Sequence, residues 1–168
     1  MKRSIIIYTL LVFFSFVASA QLERYKAIFV YKFAQNFEWP ASKSLNNYTI
    51  GVMGNDPLYQ ELSSLTNGRS VSGKPITIKQ LKSGDNISNL CMLYLSNDNN
   101  EILSSLTQSA QKNGVVIIGD SPGMAKRGAP LNFLSAGGSL KFELNEASLS
   151  KCGVKASGSI KSLAVLVN

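Results

Sequence analysis

The stretch NLCMLYLSNDNNEILSSLTQSAQKNGVVIIGD, residues 89–120, decides the fold. It opens on an almost unbroken apolar run, Leu90 to Leu95, passes through an Asn/Asp-rich start into a helical pattern that Gly114 stops, and closes on a second apolar run, Val115 to Ile118. Strands this apolar throughout are covered on both faces. Covered strand, helix and covered strand in that order make the crossover unit of a parallel sheet.

Upstream, NYTIGVMG (residues 47–54) reads as another strand, with Gly54-Asn55-Asp56-Pro57 turning into a helix, PLYQELSSL, that Asp56 is placed to cap. KPITIKQL (residues 74–81) alternates apolar and polar residues, as a half-exposed strand does. Before these lies an aromatic ladder: with Leu22, the rings of Tyr25, Phe29, Phe33 and Phe37 recur every fourth residue and predict a helix over about Leu22 to Phe37. Glu23, Lys26 and Gln35 are expected to project away from that face, and Pro40 disfavours helical geometry at Trp39. The ladder is expected to be core, because each ring removes a large apolar area from water. Trp39 and Pro40, at the forced break, either lid the core or offer a partner surface.

Downstream, LNFLSAGGSLKFELN (residues 131–145) alternates around an Ala-Gly-Gly turn and predicts an antiparallel hairpin. Asn145 can cap EASLSKCG, and SGSIKSLAVLV follows as a final helix or extended tail. The expected architecture is α/β: a mostly parallel sheet flanked by helices on both faces, a Rossmann-like three-layer sandwich, with a C-terminal antiparallel hairpin.

The first 20 residues, MKRSIIIYTLLVFFSFVASA, have Lys2 and Arg3, then an apolar run from Ile5, then Ala18-Ser19-Ala20, the layout of a cleaved secretory signal peptide. The run is short for a membrane span, which needs roughly 20 apolar residues. Residues 21–168 are then expected to form one domain in the periplasm, long enough to bury a core. Without the leader the chain has 15 Lys and Arg against 10 Asp and Glu. These are scattered, with Lys126-Arg127 the one adjacent basic pair, so no nucleic-acid stripe is present. Cys91 and Cys152 either pair, closing a loop whose chain entropy amounts to roughly 4 kcal/mol, or stay as separate buried thiols.

The chain has no histidine, which removes Ser-His-Asp and Cys-His catalysis and histidine-containing zinc sites. The carboxylates fall at turns, helix starts or the outward side of a strand, so no catalytic residue, metal or cofactor is expected. GVMGND sits between strand and helix, where an anion can bind, but lacks the G-x-G-x-x-G spacing and a P-loop lysine. GDSPGMAKRG closes a parallel strand at its carboxyl edge, where open α/β sheets place ligands. Asp120, Ser121, Lys126 and Arg127 are therefore a candidate site for a small anion, against the alternative of a solvated loop.

YKAIFVYKFAQNFEWP, IGVMGND, CMLYLS, GVVIIGD and LNFLSAGGSLKFELNEASLSKCGVKASGSIKSLA, taken in order, resemble the YfiR-like family of periplasmic proteins. The resemblance rests on Phe37, Trp39 and Pro40, on Asn132-Phe133, on Phe142 to Asn145, and on Leu163-Ala164, and it covers essentially the whole chain after the leader. It implies a non-catalytic α/β regulator that binds the periplasmic part of an inner-membrane diguanylate cyclase, restraining cyclic di-GMP synthesis and biofilm formation. It also implies release under redox or envelope stress or through an outer-membrane lipoprotein. A histidine kinase as partner, a homodimer, and a periplasmic small-ligand sensor are the readings kept beside it. Two departures matter. Only Cys91 and Cys152 are present, so a two-disulfide switch does not carry over, and Arg127-Gly128-Ala129-Pro130 stands where a double glycine often precedes the Asn-Phe strand.

Overall fold

In the computed structural model, which describes residues 20–40, 43, 46–136 and 139–167, the central crossover forms as its sequence dictates. Strand β5 (Met92–Leu95) and strand β6 (Val116–Gly119) are buried at every position and lie parallel. Between them the helical segment starts as a 3-10 turn, Asn97–Ile102, and becomes α3 (Leu103–Asn113). Gly114 ends it in the left-handed region at φ 61°, which an L side chain adopts only with strain. Cys91 lies just before β5 rather than inside it.

Helix α1 occupies residues 20–36 and hands over to β1 (Phe37–Glu38). The other elements are β2 (Tyr48–Met53), α2 (Asp56–Thr66), β3 (Ser70–Val71), β4 (Lys74–Leu81), β7 (Leu131–Ala136), β8 (Ser139–Asn145), α4 (Glu146–Lys151), β9 (Lys155–Ala156), α5 (Gly158–Leu163) and β10 (Val165–Val167). Among the described residues the main sheet runs β10-β8-β7-β6-β5-β2-β4-β3. Its pairs from β4 through β2, β5 and β6 to β7 are parallel, while β7–β8 is the expected antiparallel hairpin. A small antiparallel ribbon, β1–β9, stands apart from it.

Alternate residues of the strands feed two apolar clusters, one on each face. Ile50, Val52, Met92, Val116, Phe133 and Phe142 pack with α1, α2, α4 and α5. Met53, Leu93, Leu95 and Ile117 pack with α3 and the loop residues Ile87, Leu90 and Met124. The mostly parallel three-layer α/β architecture with a C-terminal hairpin is therefore present.

Several local expectations are corrected. Phe37 belongs to β1, not α1. Tyr25 is 48% exposed, while Phe33 and Phe37 are buried. Rings spaced by four drift about 40° per step around a helix of 3.6 residues per turn, so a ladder that ends in the core starts off it. Phe33 meets Phe142 edge-on at 4.9 Å and stacks with Phe37 at 5.8 Å. Glu23 and Lys26, which the spacing places off the ladder's face, are buried as well. The cap of α2 is Asn55, whose side chain accepts from the Leu58 amide at 2.9 Å, and Asp56 is the first helical residue. The tail after α5 becomes a strand, β10, parallel to β8. Cys91 and Cys152 are separate, buried free thiols. The leader up to residue 19 and the Gly137-Gly138 part of the hairpin turn lie outside the described residues.

Candidate functional site

Two places gather polar chemistry, at opposite edges of the sheet. At the carboxyl edge, Asp120 follows β6, Asn55 follows β2, Tyr94 belongs to β5, and α1 crosses above them. Lys26 is only 4% exposed and Glu23 8%. The Lys26 ammonium donates to Glu23 Oε1 at 2.9 Å and to Asp120 Oδ2 at 2.6 Å. Asp120 Oδ2 also accepts from the Tyr94 hydroxyl, while Asn55 Nδ2 donates to Glu23 Oε2 at 3.0 Å and to Tyr94 Oη at 3.3 Å. Burial opposes the Lys26 charge, but hydrogen bonds and attraction from Asp120 and Glu23 outweigh it and hold its pKa above the ordinary lysine value. Burial, followed by the Asp120 charge and hydrogen bond, holds the Tyr94 hydroxyl well above the ordinary tyrosine value, so it stays a donor.

Among the described residues no hydrogen bond or ion pair joins the four residues proposed from sequence as an anion site. Asp120 is engaged by Lys26 and Tyr94, and Ser121 is buried, donating its hydroxyl to Asn97 Oδ1 at 2.6 Å and its amide to Asn132 Oδ1 at 3.3 Å. Lys126 and Arg127 are exposed on the following loop. A carboxylate in the middle of this network disfavours an anion there, and the groups behave as an internal tie between α1 and the sheet edge.

At the amino edge, the chain leaves α1 through Trp39 and Pro40, both half-buried. Trp39 sits edge-on to Tyr48 at 5.1 Å, tilts against Phe37 at 5.8 Å, and donates its indole N–H to Gly114 O at 3.3 Å. Pro40 packs against Gly153, where an added Cβ would meet the proline ring at 3.3 Å. Lys43 donates to Leu90 O, to Asn113 O at 2.8 Å and to Gly114 O at 2.6 Å, placing a cation on the carbonyls that end α3. Burial pulls the Lys43 pKa below the ordinary lysine value, with Cys91 and Cys152 acting in the opposite direction. Burial pushes the Cys91 thiol up and the Cys152 thiol up to about 11. Both are therefore protonated and weakly nucleophilic at neutral pH.

Beside Trp39 lies a cavity of about 480 Å³ lined by Phe37, Glu38, Trp39, Tyr48, Lys74 and Cys91, among others. The Tyr48 hydroxyl is the one buried side-chain N or O atom without a hydrogen-bond partner among the described residues. A buried hydroxyl left unpaired costs about 1–3 kcal/mol. Trp39 and Pro40 stand out in the sequence, whereas Lys43, Tyr48 and Lys74 do not, because they meet only where a loop and two strands converge. For Glu23 and Lys26 the one local signal is an i,i+3 charge pair.

Among the described residues no helix is long and apolar enough to cross a membrane, and no three His, Cys, Asp or Glu side chains gather as a metal site. A family model described as YfiR/HmsC-like matches residues 23–165. No curated protein matches the chain. A crystal structure of a conserved domain protein from Vibrio cholerae O1 biovar El Tor strain N16961 is similar at 13% identity and a TM-score of 0.49. The match covers 73% of this chain and 55% of that one, so the chain spans about half the length of that protein.

Proposed function

The chain belongs to the YfiR/HmsC-like family, and from that premise we propose that it is an exported, non-catalytic regulator that binds and restrains an inner-membrane diguanylate cyclase. The family is known for periplasmic regulation of diguanylate cyclase signalling. The family match over residues 23–165 is the observation that carries this reading. The geometry supports it in two ways. The carboxylates at the carboxyl edge are held in internal pairs with Lys26, and the two thiols are buried and protonated, so neither edge presents a poised nucleophile or base. A protein of this kind acts through differential affinity for two states of a partner.

Residues 1–20 would direct export and be removed, leaving residues 21–168 as the working unit. The partner surface is the corner around Trp39 and Pro40. There the end of α1, the β1–β9 ribbon and the end of α3 converge. A histidine kinase in place of the cyclase, sequestration by an outer-membrane lipoprotein, or self-association would use the same exposed corner. The test is photocrosslinking in intact cells from a benzoylphenylalanine placed at Glu38, which is exposed beside Trp39. Capture of the periplasmic part of a diguanylate cyclase, lost when the crosslinker is moved to exposed Lys126, supports the reading. A chain that crosslinks to no membrane protein from Glu38 contradicts it.

A further inference from the structure

The cavity at the amino edge has features that the regulator reading does not use. Its wall contains the two-residue turn joining β3 to β4, where Val71 pairs with Lys74 across Ser72 and Gly73. Ser72 has φ 51° and is the one non-glycine residue with positive φ among the described residues. Gly73 also has positive φ, 75°, so the pair makes the tight turn that a two-residue hairpin requires. This geometry turns Ser72 and the half-buried Lys74 toward the same cavity that Phe37, Trp39 and Tyr48 line. Tyr48 lines that wall too, with its hydroxyl buried and unpartnered behind it.

We propose that this cavity binds a small organic anion. Its apolar body would pack against the rings of Phe37, Trp39 and Tyr48, and its acidic group would lie at Lys74 and Ser72. The volume, about 480 Å³, is that of a small-molecule site, and the mixture of rings with a few polar groups is the usual composition of one. Lys43 has its three donors engaged by Leu90, Asn113 and Gly114 and so contributes positive potential rather than a hydrogen bond. Among the described residues Lys74 has no ion-pair partner and is the cation left to meet an acid, while Glu38, the carboxylate in the lining, is exposed, so solvent screens its repulsion. The site lies across the sheet from Asp120, so it is distinct from the anion site expected at the carboxyl edge.

Trp39 is the only tryptophan of the chain and lines the cavity, so its emission reports occupancy directly. Purified protein is titrated with octanoate, with 3-phenylpropionate and with 1-octanol as neutral counterpart, reading Trp39 emission and melting temperature together. The expected result is a saturable emission change and a rise in melting temperature with at least one acid, about tenfold weaker for 1-octanol and about tenfold weaker in Lys74→Glu. The better acid tells whether the natural ligand has an aliphatic or an aromatic body. No saturable change with either acid up to about 10 mM, equal binding of 1-octanol, or unchanged binding in Lys74→Glu overturns the proposal. None of these outcomes involves a membrane partner, so the regulator reading stands or falls separately.

Discussion

Replacing Lys26 by methionine removes an ammonium from between two carboxylates while preserving most of the side-chain volume. Glu23 Oε1 and Asp120 Oδ2 would lose donors at 2.9 and 2.6 Å, keeping only Asn55 and Tyr94 as partners. Breaking a buried ion pair by deleting one member costs about 3–5 kcal/mol, because the remaining charge stays desolvated. Here two carboxylates share the lost cation, one of them only partly shielded at Asp120, which places the expected cost at about 4 kcal/mol. For a chain of this size that corresponds to a melting temperature lower by roughly 8–16 °C. The assay is urea unfolding followed by circular dichroism and Trp39 emission, for the wild type, Lys26→Met, Asp120→Asn and the double variant. If the network couples as its geometry implies, the double variant is more stable than the sum of the singles predicts by at least about 1 kcal/mol. A Lys26→Met cost below about 1 kcal/mol, or strict additivity, would refute the idea that α1 is tied to the sheet edge by charge.

Two tyrosines of the same sheet should respond oppositely to loss of the hydroxyl: Tyr94→Phe loses its bonds to Asp120 and Asn55 and costs about 1.5–3 kcal/mol, whereas Tyr48→Phe removes an unpaired group and leaves stability unchanged or raised, both read by chemical denaturation. Gly54→Ala places a Cβ against the Asn99 amide and the Ser96 hydroxyl at a residue with φ 82°, and should cost about 2–4 kcal/mol by thermal unfolding; a cost within about 0.5 kcal/mol would sink that account. Burial raises the Cys152 pKa from 9.0 to about 11, so the folded state retains a proton that the unfolded state releases. Its contribution is fully present below pH 9.0 and is lost as pH rises through about 11. The stability difference between wild type and Cys152→Ala should therefore be flat below that window and shrink within it; a constant difference throughout would contradict the assignment.

The parts of the fold legible in the sequence were those fixed by local pattern. The runs at 92–95 and 116–118 are apolar at every position, and a strand buried on both faces needs that composition. Asn145 caps α4 through a 2.8 Å bond to the Ser148 amide, a role its identity and place announce. What stayed hidden depends on residues far apart in the chain. The burial of Lys26 and Glu23 is not legible locally, because charges are rarely buried unpaired and the partner Asp120 lies 94 residues beyond Lys26. The strand nature of Val165–Val167 comes from pairing with β8, since three apolar residues after a short helix have no period of their own. The candidate cavity was half visible: Trp39 and Pro40 stand out beside the helix break, whereas Lys74 and Tyr48 reach it only because β4 and β2 are neighbours in register, Ile76 opposite Tyr48.

The regulator reading is tested most directly by cyclic di-GMP measured in cells lacking the gene, then complemented with the whole chain or with a chain lacking residues 1–20. It predicts that cyclic di-GMP rises on deletion, returns to its starting level with the exported form, and stays high with the form that cannot leave the cytoplasm. Unchanged cyclic di-GMP on deletion, or rescue by the form without residues 1–20, would contradict it.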